Sequence, residues 1–117
     1  MNHVPESLEE MIAMLRTALR TVGIGSARVL AKDTAFCIGN ISGWTESTPE
    51  IEVACEHAAT ACNALANYIE DRGALYSASD PIAQRLGDEA SHAIDALETM
   101  LENAHPSETA RILRLPW

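Results

Sequence analysis

The sequence has few aromatic residues and no long hydrophobic run. Only five of its 117 residues are aromatic although 47% are hydrophobic, so the apolar content is mostly aliphatic and rich in alanine. This composition favours closely packed helices over a β-sandwich. No apolar stretch approaches the roughly 20 residues of a transmembrane helix, and the first ten residues lack the apolar region of a signal peptide. We expect residues 1–117 to form a single helical domain that is cytoplasmic and has no membrane partner.

Basic residues are also scarce. Eight lysines and arginines stand against 17 acids, which gives a net charge of −9. The excess is concentrated, because residues 48–71 hold five acids and no base, and residues 80–104 hold six acids and one arginine. Such a surface repels phosphate backbones, which disfavours direct nucleic-acid binding and leaves a basic protein as a possible partner. The plainer interpretation is that acidic faces keep a small protein soluble.

The three cysteines do not predict a disulfide framework. Cys55 and Cys62 are seven residues apart on one predicted helix, which separates them by about 10 Å along the axis and is too far for a disulfide. We expect both to be reduced and buried, as in a cytosolic protein. Cys37 has no sequence context that would mark it as a nucleophile.

The first amphipathic helix is predicted after residue 7. Ser7 and Glu10 form a capping-box pattern, apolar residues follow at helical spacing as far as Val22, and Gly23 and Gly25 end the segment.

Two longer helices follow in the second half of the chain. One begins with Thr48 as N-cap and Pro49 in the first turn, and ends at Gly73. The other begins with Asp80 and Pro81 by the same logic and ends before residue 105. The predicted fold class is all-α: a small helical bundle built on a long antiparallel helix hairpin, with an N-terminal amphipathic helix.

Residues 26–44 fit two structures. One is a short β-hairpin of residues 28–31 and 34–38. The other is a helix from Ser26 to about Ile38, followed by a loop over residues 42–47. We favour the helix because Ser26 can cap it and Gly39 can end it.

Residues that could carry out chemistry do not form a recognisable site. Glu89 and His92 have the spacing of half a di-iron carboxylate motif, but such a site needs a second pair and two further glutamates. Cys55, His57 and Cys62 lack the spacing of a zinc site. We therefore expect no metal, no cofactor and no catalytic residue, and predict that the protein is not an enzyme.

The apolar side chains of the first helix point to a protein partner. If its six large apolar residues stayed exposed, the protein would lose on the order of 10 kcal/mol of stabilising free energy from their burial. The last eleven residues add four more apolar side chains. A core of this size hardly accommodates all of them. We therefore expect either a homodimer or a partner-binding surface, with the alternative that one bundle buries the whole stripe. The candidate interface residues are Leu8, Met11, Ile12, Leu15 and Leu19.

Residues 51–61 resemble the first helix of a family of small, uncharacterised bacterial helical proteins. The shared features are an alanine-rich helix with an Ala-Cys-Glu step, here residues 54–56, and a second amphipathic helix, here residues 82–101. In size, acidity and helical plan the chain is also similar to quorum-sensing anti-activators. That resemblance implies binding to the ligand-binding domain of a LuxR-type transcription factor, which would block its dimerisation and DNA binding. The alternative is a structural or assembly module that associates only with itself.

Overall fold

The computed structural model describes residues 8–22, 27–46, 48–77 and 79–105. These residues form four α-helices, with a short 3₁₀ turn (Gly73–Leu75) after the third, and the prediction of an all-α fold is confirmed. No helix among them is long and apolar enough to cross a membrane. The helices are α1 (Leu8–Thr21), α2 (Ala27–Trp44), α3 (Pro49–Arg72) and α4 (Pro81–Glu102).

The predicted ends of α3 are confirmed by its capping hydrogen bonds. The Thr48 side chain accepts a hydrogen bond from the Ile51 N–H, and Pro49 occupies the first turn. Gly73 has a positive φ of 53°, a conformation that glycine adopts without steric cost. Its N–H donates to the carbonyl of Ile69, which satisfies one of the free carbonyls of the last turn.

The start of α4 is fixed by Asp80 and is joined to the end of α3. The Asp80 carboxylate accepts hydrogen bonds from the N–H groups of Ile82 and Ala83. It also accepts a hydrogen bond of 2.7 Å from the Tyr68 hydroxyl. This contact is the main reason that the pKa of Asp80 is lowered, with the two backbone N–H groups and Arg72 adding to it.

The predicted end of α2 near Gly39 is wrong, because the helix continues to Trp44. The β-hairpin alternative for residues 28–38 is not formed. A buried stripe explains the longer helix: Leu30, Cys37 and Ile41 are at most 1% exposed and recur at helical spacing. Burying Ile41 stabilises by more than the roughly 1 kcal/mol that a glycine costs inside a helix.

Thr34 completes this stripe and is the reason that the sequence pattern was ambiguous. It is 1% exposed and lies between Leu30 and Cys37 on the same face. Its hydroxyl donates a 2.7 Å hydrogen bond to the carbonyl of Leu30, one turn earlier. A threonine that satisfies its hydroxyl in this way can occupy a core position, although it interrupts the apolar pattern.

Each helix packs against two others in a closed circuit, with α1 on α2, α2 on α3, α3 on α4 and α4 on α1. The contact between α3 and α4 is the most extensive. Arg28 at the start of α2 pairs with Glu70 at the end of α3 at 3.1 Å, so these neighbours run in opposite directions. All three cysteines are buried and none forms a disulfide with another described residue, as expected for Cys55 and Cys62.

Candidate functional site

The predicted interface on the first helix lies largely inside the bundle. Met11 and Leu15 are fully buried, and Leu8 and Ile12 are 7% and 4% exposed. Leu19 is partly buried and packs against the core from its edge. Because α1 has α2 on one side and α4 on the other, most of its apolar stripe is covered by this chain.

Two of these residues line a recess between α1 and α4. Leu8 and Ile12, from the start of α1, lie beside Leu101 near the end of α4. The recess has a volume of about 410 Å³. We call it the α1/α4 recess; its lining residues are Leu8, Glu9, Ile12, Glu98, Leu101 and Glu102.

The rim of the α1/α4 recess is acidic. It carries the carboxylates of Glu9, Glu98 and Glu102, and no basic residue is among the described residues that line it. Glu9 and Glu102 are exposed, and no ion pair joins either to another described residue. An apolar floor inside an anionic rim suits a ligand that combines an apolar side chain with positive charge.

Arg16 connects the two helices beside the recess. Its guanidinium lies 2.7 Å from the Asp95 carboxylate and 3.2 Å from that of Glu98. The hydrogen bond to Asp95 is the main reason that the pKa of Arg16 is raised. Both carboxylates are about half exposed, so each pair contributes little to stability. The structural consequence is that Arg16 partly compensates the charge of Glu98 at the edge of the recess, whereas no described basic residue forms an ion pair with Glu9 or Glu102.

The charge of the helices adds to that of the recess. Helix α4 has five acids against Arg85, and α3 has five acids against Arg72. Helix α1 has two of each sign. The recess therefore lies on the strongly acidic part of the surface, and its potential attracts cationic segments from a distance.

The cysteines are poorly placed for thiol chemistry. Burial, together with the nearby Asp33 carboxylate, raises the pKa of Cys37 to about 11. Burial also raises the pKa of Cys62, against the opposing effect of a hydrogen bond with Thr34. Because the thiolate is the nucleophile, both shifts in pKa disfavour the reactive form of these thiols.

The Glu89 and His92 pair lies on the surface of α4, where both side chains are exposed. Among the described residues there is no group of three or more His, Cys, Asp or Glu side chains that could hold a metal ion.

The outer face of α2 is a surface that the sequence pattern did not identify. Val29 is 51% exposed and Phe36 is 45% exposed. Gly39 and Gly43 follow on the same side of the helix, and a Cβ added at either would meet nothing within 4 Å. We call these four residues the α2 face. The seven-residue spacing of Val29 and Phe36 could have indicated this face from the sequence. Because the helix was predicted to end near Gly39, Gly43 was not recognised as part of the same face.

The comparison with known proteins gives no relative. No family model, no curated protein and no solved structure matches the chain. The resemblance to anti-activators therefore stays a prediction that depends on size, acidity and helical plan.

Proposed function

We propose that this chain is a regulatory binding protein without catalytic activity, and that it receives a basic, partly apolar segment of another protein in the α1/α4 recess. The observation that carries the proposal is the apolar floor of Leu8, Ile12 and Leu101 inside a rim of three carboxylates. The floor would anchor an apolar side chain of the partner. The rim would speed association with a cationic surface and discriminate against acidic ones.

The partner that we propose is a LuxR-type quorum-sensing transcription factor in the cytoplasm. A DNA-binding protein carries positive charge on its DNA-binding surface, and this charge would attract an acidic chain of net charge −9 towards the factor from a distance, wherever on the factor the chain then binds. In this proposal the chain acts as an anti-activator: it binds to the ligand-binding domain of the factor and prevents the factor from forming its dimer. A factor that binds DNA as a dimer then loses its affinity for DNA.

Charge reversal at the rim is expected to weaken this inhibition. The Glu102→Lys variant places a positive charge in the recess, and we expect about tenfold weaker binding of the factor, equivalent to about 1.4 kcal/mol. The measurement is the concentration of chain that halves DNA binding by a purified LuxR-type factor from the same organism. The matched control is Glu89→Lys, which makes the same charge change on α4 at an exposed residue outside the recess. Equal inhibition by both variants would exclude the recess as the binding site, and no inhibition by the wild-type chain would exclude the anti-activator role.

The α2 face favours a second candidate function, a module that associates with itself. Two copies of α2 packed in opposite directions would place Phe36 of each over the open surface at Gly39 and Gly43 of the other. Such an arrangement satisfies the self-complementarity of a two-fold dimer. Helix α2 carries Arg28 and Lys32 against Asp33, so the two acidic chains would meet where their repulsion is weakest.

The Phe36→Glu variant tests this second function. We expect the wild-type chain to be a dimer and the variant a monomer, because the substitution puts two carboxylates into an apolar contact. The free energy of unfolding of the variant monomer should fall by no more than about 1.5 kcal/mol, since nearly half of Phe36 is already exposed in the monomer. Light scattering over a range of concentrations gives the measurement. Ala35→Glu, also exposed on α2, is the control that should stay dimeric. A monomeric wild-type chain, or a Phe36→Glu dimer, would rule out this arrangement.

A further inference from the structure

We propose that the partner segment in the α1/α4 recess is a helix with opposite charges at its two ends, its basic end in the recess and its acidic end beside Arg20. That the segment belongs to a LuxR-type factor depends on the function proposed above, whereas its charge pattern follows from the groove between α1 and α4. This groove contains a second pocket of about 280 Å³. We call it the arginine pocket; its lining residues are Ala13, Arg16, Thr17, Leu19, Arg20 and Ser91.

The recess and the arginine pocket follow one another along the same two helices. Leu8 of α1 and Leu101 of α4 line the recess. Arg20, twelve residues after Leu8, lines the arginine pocket together with Ser91, ten residues before Leu101. The two helices therefore run in opposite directions along one groove. Twelve residues of helix rise about 18 Å, so the groove is about three helical turns long.

The charge of the groove changes sign between its two ends. The recess has three carboxylates at its rim, whereas the arginine pocket has two arginines and no acid among the described residues that line it. Arg16 is compensated by Asp95 and Glu98. Arg20 is exposed and forms no ion pair with another described residue. Its guanidinium lies 3.5 Å from the Thr17 hydroxyl, so its positive charge is available to a carboxylate of a partner.

The apolar side chains of the groove are spaced as a helical ligand requires. Ile12 in the recess and Leu19 in the arginine pocket are seven residues apart on α1, which is about 10 Å along the axis. A helix that lies in a groove presents apolar side chains at i and i+7 with the same separation. Its macrodipole favours one direction, because the positive N-terminal end suits the carboxylates of the recess and the negative C-terminal end suits Arg20.

The groove on the other side of α1 does not have this charge pattern. A recess of about 420 Å³ between α1 and α2 is lined by Glu10 and Asp33, and no base is among the described residues around it. Such a recess favours a ligand that is basic throughout. The reversal of charge therefore favours the groove between α1 and α4 as the site for a helix with one basic and one acidic end.

Two synthetic helices test this charge pattern. Both have capped ends, a side-chain lactam that keeps them helical, two leucines seven residues apart and a lysine in the first turn. Eleven residues after the lysine, one peptide has a glutamate and is neutral, whereas the other has a second lysine. The chain has a net charge of −9, so general attraction favours the two-lysine peptide. We expect the neutral peptide to bind about fivefold more tightly in isothermal titration calorimetry, because its glutamate meets Arg20.

Arg20→Glu should reverse this preference, since a carboxylate then replaces the guanidinium at the end of the groove. The matched control is Arg85→Glu, which makes the same charge change at an exposed residue of α4 that lines neither pocket. This control should keep the preference for the neutral peptide. Arg20 and Arg85 are both exposed, so circular dichroism should show cooperative unfolding of both variants close to the wild-type melting temperature.

Three outcomes would overturn the proposal. Equal or tighter binding of the two-lysine peptide by the wild-type chain would show that binding follows net charge. Equal effects of Arg20→Glu and Arg85→Glu would show that the acidic end of the peptide does not lie in the arginine pocket. Absence of binding by either peptide at millimolar concentration would show that the groove does not accept a helix.

Failure of the peptide experiment and failure of the proposed function are distinguishable. No transcription factor is present in the titration, so its failure would leave inhibition of DNA binding through the recess intact. Absence of inhibition in the DNA-binding assay would leave the preference of the groove for the neutral peptide intact. If both proposals hold, Arg20→Glu should weaken inhibition of the factor about fivefold, and Arg85→Glu should leave it unchanged.

Discussion

Replacing Leu15 with arginine is expected to unfold the bundle. Leu15 is 0% exposed at the centre of α1, so its replacement buries a guanidinium among apolar side chains. A buried charge without a partner costs several kcal/mol, which is comparable with the 5–15 kcal/mol that stabilises a typical domain. Circular dichroism during thermal unfolding should show no cooperative transition, or one at a much lower temperature.

The control for this experiment is an arginine at a surface position of the same helix. Ala13 is exposed, and Ala13→Arg should change the free energy of unfolding by no more than about 0.5 kcal/mol. The comparison also decides the role of the apolar stripe on α1. A Leu15→Arg variant that melts like the wild type, but no longer binds a partner, would show that the stripe is an exposed interface and that the burial described here is wrong.

Truncating Leu97 to alanine is expected to cost about 2–5 kcal/mol of unfolding free energy. Leu97 is fully buried in α4, the helix that contacts both α1 and α3. Removing its side chain loses apolar burial and leaves a cavity, since neighbouring side chains in a close-packed core relax only partly. Urea unfolding monitored by circular dichroism gives the free energy.

Met100→Ala provides the matched control three residues further along α4. Met100 is 42% exposed, so its truncation removes much less burial and should cost well under half as much as Leu97→Ala. Equal losses for the two variants would mean that α4 is rotated relative to the orientation described here, with Met100 facing the core.

The ends of α3 and α4 were predictable from sequence because their determinants are local. Thr48 and Asp80 accept hydrogen bonds from backbone N–H groups two or three residues later, and each is followed by proline. The end of α2 was not predictable in this way. Gly39 is a local signal to stop, but the helix continues because Ile41 is buried against other helices, and that contact depends on tertiary packing.

The candidate site could be predicted only in part, for a related reason. The stripe on α1 identified Leu8 and Ile12, since apolar spacing within one helix is visible in the sequence. It did not identify Leu101, Glu98 and Glu102, because these residues join the recess only when the end of α4 packs beside the start of α1. The same packing buries Met11 and Leu15 and so removes most of the predicted surface.

The most direct test of the proposed binding surface is a methyl NMR titration of the full-length chain with the ligand-binding domain of a LuxR-type factor. We expect the methyl resonances of Leu8, Ile12 and Leu101 to shift on addition of the domain. Those of Val53 and Ile82, exposed on α3 and α4 outside the recess, should stay in place. Shifts confined to Val29 on the α2 face, or no shifts at saturating concentration, would contradict the assignment of the α1/α4 recess as the binding site.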